Sequence, residues 1–415
     1  MLLQSKLINA ADFPTLQMAV DALEEFSTLY VPAGEWACSG IKLKSNMTLH
    51  LALGAKLVAP ARIEEYVPHP DWHRECSLTC AFLALYEVEN VVIEGEGMLE
   101  LGGERFWIDF DNDPADLILP RTPERRGSWS KRCYSPMAER PIGVLLWKCK
   151  NIILRDITIA HAAAYTVWAI GCDKLRYTNV TLNNHRRGPN TDGFDVDSCC
   201  DVQITGCNLN TGDDAIALKT DTEILGYEKA CERVIISNNI ITSECCGVRL
   251  GYEGDGAIRD VIISNNVIHH TDTGVDMLSI VPYQFRFNIR KGTPIERVLV
   301  DNITMNDVRI GFKLWSGGDG EAESAAYSAY IKDVSLRNMY ITACGASFIG
   351  GKCVKGIELE NITMQVNGML PDGPLPEAVD MPDVWGHAFL RNPLTLYQVD
   401  DLQMNNVKIT GKYPR

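Results

Sequence analysis

The segment Glu232-Arg233-Val234-Ile235-Ile236-Ser237-Asn238-Asn239-Ile240-Ile241 holds the pattern that decides the fold. Two short β-branched runs flank a polar Ser-Asn-Asn corner, and neither run is long enough for a helix. The phrase recurs at Val88-Glu89-Asn90, Cys149-Lys150-Asn151, Cys172-Asp173-Lys174, Cys200-Asp201-Val202 and Arg259-Asp260-Val261. It returns at Glu296-Arg297-Val298, Lys332-Asp333-Val334, Lys355-Gly356-Ile357 and Asp400-Asp401-Leu402. Most spacings are roughly 20 to 40 residues, the range of solenoid repeats. No copy contains a helix-length periodic segment, which excludes a helical solenoid. Short strands stacked in register with Asn at the corners describe an all-β chain, a right-handed parallel β-helix of about ten coils.

A second strand set precedes each phrase and aligns row by row. The rows are Asp192-Gly193-Phe194-Asp195-Val196, Asp214-Ala215-Ile216-Ala217-Leu218, Cys246-Gly247-Val248-Arg249-Leu250, Thr273-Gly274-Val275-Asp276-Met277, Ile310-Gly311-Phe312-Lys313-Leu314 and Cys344-Gly345-Ala346-Ser347-Phe348. The third column is apolar and points inward. By strand alternation the fourth, with Asp195, Arg249, Asp276 and Lys313, points outward. The expected solvent face is a ladder of Asp195, Lys219, Arg249, Asp276, Lys313 and Trp315. Asp192 and Asp214 fall at equivalent corners of adjacent coils, about 4.8 Å apart, with Asp213 beside them. Three carboxylates gathered at one place repel and shift one another's pKa, which is the arrangement acid–base chemistry uses.

The 415-residue chain is read as one domain, 1–415, because a repeat stack is not limited in length as a compact core is. Residues 1–60 would form the N-terminal cap and first coils, with a helix between Phe13 and Phe26 over the open end. Insertions at 102–141 and 368–392 interrupt the rhythm and are expected near the cleft; they carry Trp107, Trp129, Trp385 and His387. A formal net charge of -15 without a basic tract argues against nucleic acid, and no run is long enough to span a bilayer as a helix. Met1 to Phe13 lack the basic-then-apolar layout of a secretory leader, which points to the cytoplasm unless a leader has been removed. The Cys residues are scattered without zinc spacing and read as buried free thiols, so neither a metal nor a cofactor is expected.

Asn190-Thr191-Asp192 followed by Gly212-Asp213-Asp214 on such a repeat resembles family 28 of the glycoside hydrolases, the polygalacturonase-like, pectin-lyase-like solenoids. Val31-Pro32-Ala33-Gly34, Leu43-Lys44-Ser45-Asn46, Gly54-Ala55 and Arg140-Pro141 are similar to the same family. The resemblance implies inverting hydrolysis of a glycosidic bond in a pectin-related oligosaccharide. Asp213 would protonate the leaving oxygen, while Asp192 and Asp214 activate water. Lys219 matches a basic residue beside the acidic pair. Two family motifs are altered. Cys245-Cys246-Gly247 stands where the family has Gly-His-Gly, and Asp276-Met277-Leu278 where it has the Arg-x-Lys that holds a uronate. Asn190, Lys219, Arg249, Asp276, Lys313, Trp315 and Cys246 are the candidate substrate-binding residues. The alternatives are a lyase on the same architecture, using calcium and a basic residue, or a carbohydrate-binding β-helix that has lost its chemistry. The sequence leaves the oligomeric state open.

Overall fold

The computed structural model describes residues 6–69, 78–108, 110–118, 134–281, 291–318, 329–367 and 392–411. The recurring phrase forms one wall of a right-handed parallel β-helix. Twelve successive parallel pairings join thirteen strands there, from Leu7–Asn9 to Leu394–Gly411. The stack therefore starts three coils before the Val88 phrase. Leu7–Asn9, Ser27–Val31 and Met47–Leu51 are full rungs. The expected count of about ten was short because these rungs carry the phrase only in degenerate form.

The corners explain the polar signature. The phrase's second or third residue turns left-handed in coil after coil, as at Asn90, Asn151, Asp201, Arg233, Asp260 and Asp333. So does the Asn of the next corner, at Asn238, Asn265, Asn302, Asn338, Asn361 and Asn406. Asn and Asp tolerate that conformation better than other residues bearing a Cβ. Stacking then lets their amides pair between coils: Asn302 donates to Asn265 at 2.8 Å and Asn406 to Asn361 at 2.8 Å.

Inside, Val202, Val234, Val261 and Val298 stack in one continuous apolar core with Phe194, Ile216, Val248, Val275 and Phe312. Each such side chain contributes about 1.5–3 kcal/mol when fully buried. The N-terminal helix is only Leu16–Ala22, shorter than the sequence periodicity. Thr15 caps it by accepting from the Met18 amide, and Leu23 turns extended to feed the strand Ser27–Val31. Leu16, Ala19 and Val20 enter the core from the stack's end.

The row alignment of the site-bearing wall holds from Phe194 through Ile216, Val248 and Val275 to Phe312. Its last row slips by one, because Phe348 and not Ser347 pairs with Lys313. The wall also runs upward: Trp168 pairs with Asp195, and Leu145 with Trp168. The outward column is not a solvent-facing ladder. Asp195, Arg249, Asp276 and Lys313 are all buried. Apolar clusters flank them on this outer face, Leu145, Trp168 and Leu225 on one side and Tyr252, Leu278, Trp315 and Phe348 on the other. Strand alternation gave the direction correctly, but it does not register what packs over a sheet.

Where described, the 102–141 insertion packs against the turn leading into Asp192. Trp107–Ile108 pairs antiparallel with Ser135–Pro136, and the rings of Trp107, Phe110, Tyr134 and His185 interlock. The Tyr134 amide donates to Arg187 O at 2.9 Å, and the Arg186 amide to Ala115 O at 2.9 Å. Trp129 lies outside the described residues, as do Trp385, His387 and all of the 368–392 insertion except Asn392.

Candidate active site

Two corners, one coil apart, build the site. Phe194 pairs with Ile216, which places Asp192 over Asp214. The Gly193 amide donates to Asp214 O at 2.8 Å and locks that register. Asp192 is anchored from above: its carbonyl accepts from the Thr166 amide (2.9 Å) and hydroxyl (2.6 Å). Asp213 is fixed from below, where its carbonyl accepts from Thr211 and Ser243 hydroxyls, each at 2.6 Å. One carboxylate oxygen from each of Asp192, Asp213 and Asp214 lies within 4.8 Å of the others. All three side chains are buried.

The surroundings divide the three acids. Asp192 has Lys219 at 3.8 Å, and Asp214 has the Arg249 guanidinium at 3.0 Å. Asp214 also accepts from the Cys246 amide at 3.1 Å. Asp213 accepts from its neighbour's amide, Asp214 N–H, at 3.0 Å and from the Asn190 side-chain amide at 3.4 Å. Asn190 sits in a left-handed turn, and its side-chain oxygen accepts from Arg140 at 3.0 Å. Burial, with Asp195 and Asp213 adding like charge, pushes the Asp192 carboxyl well above the usual range against the pull of Lys219. At this spacing the titration belongs to the group as a whole rather than to any one carboxyl. Asp192 Oδ1 is buried with no hydrogen-bond partner among the described residues.

Around the acids the sequence-predicted residues fall into two ionic groups. Lys219 contacts Asp195 and Glu253, each at 2.8 Å, and donates to the Tyr165 hydroxyl at 3.2 Å. Arg249 reaches from Asp214 to Cys246 Sγ (3.1 Å) and to Asp276 (3.8 Å). Asp276 in turn holds Lys313 at 3.1 Å. Asp276 is wholly inaccessible, lying as a counter-ion among these cations. Trp315 is buried among Tyr252, Leu278 and Phe348, with Tyr397 stacked on it at 6.5 Å.

Asp192, Asp213, Asp214, Asn190, Lys219, Arg249 and Cys246 thus converge, while Asp276 and Lys313 join through Arg249 and Trp315 stands at the edge. Tyr165 and Glu253 escaped sequence reasoning. Tyr165 was legible: Val167 pairs with Phe194, so Tyr165 occupies the Asp192 corner one coil earlier. Glu253 was not, because the strand bulges there and breaks the row spacing. The carboxylate donor set has the proximity that a divalent cation needs, but Lys219 and Arg249 already supply positive charge at that place.

Structural comparison gives two exopolygalacturonases that share the fold. The enzyme from Thermotoga maritima superposes with a TM-score of 0.70 at 18% identity, covering 97% of this chain and 92% of its own. The family 28 exopolygalacturonase from Yersinia enterocolitica gives 0.70 at 17% identity, covering 99% and 80%. In sequence, a probable polygalacturonase of Vitis vinifera is 24% identical over 320 residues, 73% of this chain. The chain spans 59% of that relative's own length. The profile of glycosyl hydrolases family 28 matches residues 26–370, a span that contains every sequence-predicted site residue. With that match over most of its length, the chain belongs to family 28 of the glycosyl hydrolases.

Proposed function

We propose that the protein hydrolyses a glycosidic bond in a pectin-related oligosaccharide with inversion at the anomeric carbon. The carrying observation is the cluster of Asp192, Asp213 and Asp214, with a cation beside Asp192 and another beside Asp214. The Arg249 guanidinium favours the ionised form of Asp214, while burial and like charge leave Asp192 basic; both suit the activation of water, and Asp213, at the position that the family resemblance gives to the acid, is the proton donor to the leaving oxygen. The acids are closer than the roughly 6.5–9.5 Å usual for inverting pairs. Inversion still follows if Asp192 and Asp214 hold one water between them, so that neither attacks carbon itself. A panel of pectic oligosaccharides, with the first-formed anomer read by NMR, tests this. Retention of configuration, an unsaturated product, or tight binding without turnover would each overturn it.

The sugar at the cleaved end is neutral in this reading. Six carboxylates, Asp192, Asp195, Asp213, Asp214, Glu253 and Asp276, stand around three cations, and each cation has an acid within 4 Å. A uronate carboxylate would have to displace Asp276 to reach Arg249 or Lys313, whereas a neutral ring makes no such demand. Matched substrates with a neutral sugar or a uronate at the non-reducing end separate the cases. The expected preference is for the neutral sugar, and Asp276→Asn should improve kcat/KM on the uronate. Wild-type preference for the uronate, undiminished in Arg249→Ala and Lys313→Ala, would defeat the idea.

A further inference from the structure

Between the paired residues Leu218–Leu250 and Thr220–Gly254, the strand bearing Arg249 accommodates three residues, Gly251, Tyr252 and Glu253, opposite the single residue Lys219. The bulge is conformationally costly. Gly251 and Gly254 take φ of 85° and 105° without penalty, and the cost falls on Tyr252, a bulky residue with φ of 75°. Strain of this kind persists only where surrounding contacts over-determine it, and it concentrates at functional sites. What the bulge delivers is visible. Glu253 comes to 2.8 Å from Lys219, and the Tyr252 ring lies 5.5 Å from the Arg249 guanidinium. A regular strand would put one residue opposite Lys219 and could not place both side chains on the two cations that serve the acids.

We propose that this bulge is a positioning device: Glu253 holds the Lys219 ammonium toward Asp195 and away from Asp192, so that Asp192 stays basic enough to activate water. The distances carry the argument. Lys219 is 2.8 Å from Glu253 and from Asp195 but 3.8 Å from Asp192. A tight Lys219–Asp192 pair would stabilise the carboxylate and weaken it as a base. The Tyr165 hydroxyl, which accepts from Lys219, restrains the ammonium from the coil before. The charged and titratable groups around it are Tyr165, Asp192, Asp195, Asp197 and Glu253, with Asp213, Asp214 and Arg249 behind them. Glu253 is a positioning residue, since it acts through Lys219.

The inference rests on the reading of Asp192 as a water-activating carboxylate, so its test includes a measurement that needs no substrate. In the full chain labelled with 13Cγ-Asp, the Asp192 carboxyl signal is assigned by its loss in Asp192→Asn and titrated in wild type and in Glu253→Gln. With the glutamate charge removed, Lys219 relaxes onto Asp192, and the titration should move down by about one pH unit. On a turned-over oligosaccharide, the acidic limb of kcat should move the same way and kcat should fall about tenfold, with KM unchanged. Glu253→Asp, which keeps the charge but withdraws it, should shift the titration part of the way, and it serves if Glu253→Gln does not fold. An Asp192 titration that coincides with wild type in these variants overturns the inference, whatever their activity. Failure of the wild type to turn over any glycan overturns the reading of function instead and leaves the titration readable.

Discussion

The main-chain carbonyls of Asp192, Asp213 and Asp214 are hydrogen-bonded independently of their carboxyls, and Asn keeps a side-chain oxygen for the Asp214 and Cys246 amides, so Asp→Asn changes there leave the fold intact while removing the chemistry. Asp192→Asn, Asp213→Asn and Asp214→Asn should each lower kcat by about 10²–10⁴-fold, the usual contribution of a positioned acid or base. Three variants with near-wild-type turnover would exclude the mechanism. Stability should respond in the opposite sense. The folded Asp192 carboxyl lies above its unfolded value of about 3.9, so its contribution is fully present below that pH and is lost as pH rises through the folded value. Asp195, pushed up to about 7 chiefly by burial, adds a loss over about pH 4 to 7. The melting temperature of Asp192→Asn relative to wild type should therefore climb as pH rises above about 4 in a thermal-shift series. A difference that is flat with pH would mean that Asp192 is not perturbed.

Within a coil, the turns contribute as much specificity as the strands. Asn266 is buried and serves two coils: it accepts from the Asn239 backbone amide (2.9 Å) and side-chain amide (3.0 Å), and donates to Ile236 O (3.1 Å). Asn239 repeats the arrangement one coil earlier, accepting from the Cys207 amide at 2.9 Å. Asn266→Ala strands these donors inside the core and should cost about 1–3 kcal/mol in urea unfolding. The exposed corner residue Asn265, by contrast, should accept Gly with little change, because its left-handed turn is what the position requires. Equal losses at the two positions would show that the inner Asn ladder is not structural.

At the scale of the whole molecule, charge governs approach to the cleft. The formal net charge is -15, and the acids of the site outnumber its cations. A polyuronate should be repelled, and raising NaCl from about 20 to about 200 mM should lower its KM by screening. A neutral oligosaccharide should show no such dependence. A KM for polyuronate that is insensitive to salt, or that rises with it, would contradict this account.

The repeat, its register and the acid triad were legible in the chain, because stacking at a fixed spacing turns sequence alignment directly into geometry. Asp192 over Asp214, and Arg249 beside Asp276, follow from counting along each row. Burial of the outer face was not legible, since the period of a strand tells which way a side chain points and nothing about the Tyr252, Leu278 and Trp315 that gather there. The same limit hid the partners of the cations: Arg249 reads as a surface residue until its 3.0 Å contact with Asp214 is seen. Glu253 was beyond row counting altogether, because a bulge changes how many residues one rung consumes, and only the tertiary structure shows it opposite Lys219. Sequence by itself determined which residues share a column; the tertiary structure alone decided which of them share charge, because ion pairs depend on side-chain reach and desolvation rather than on register.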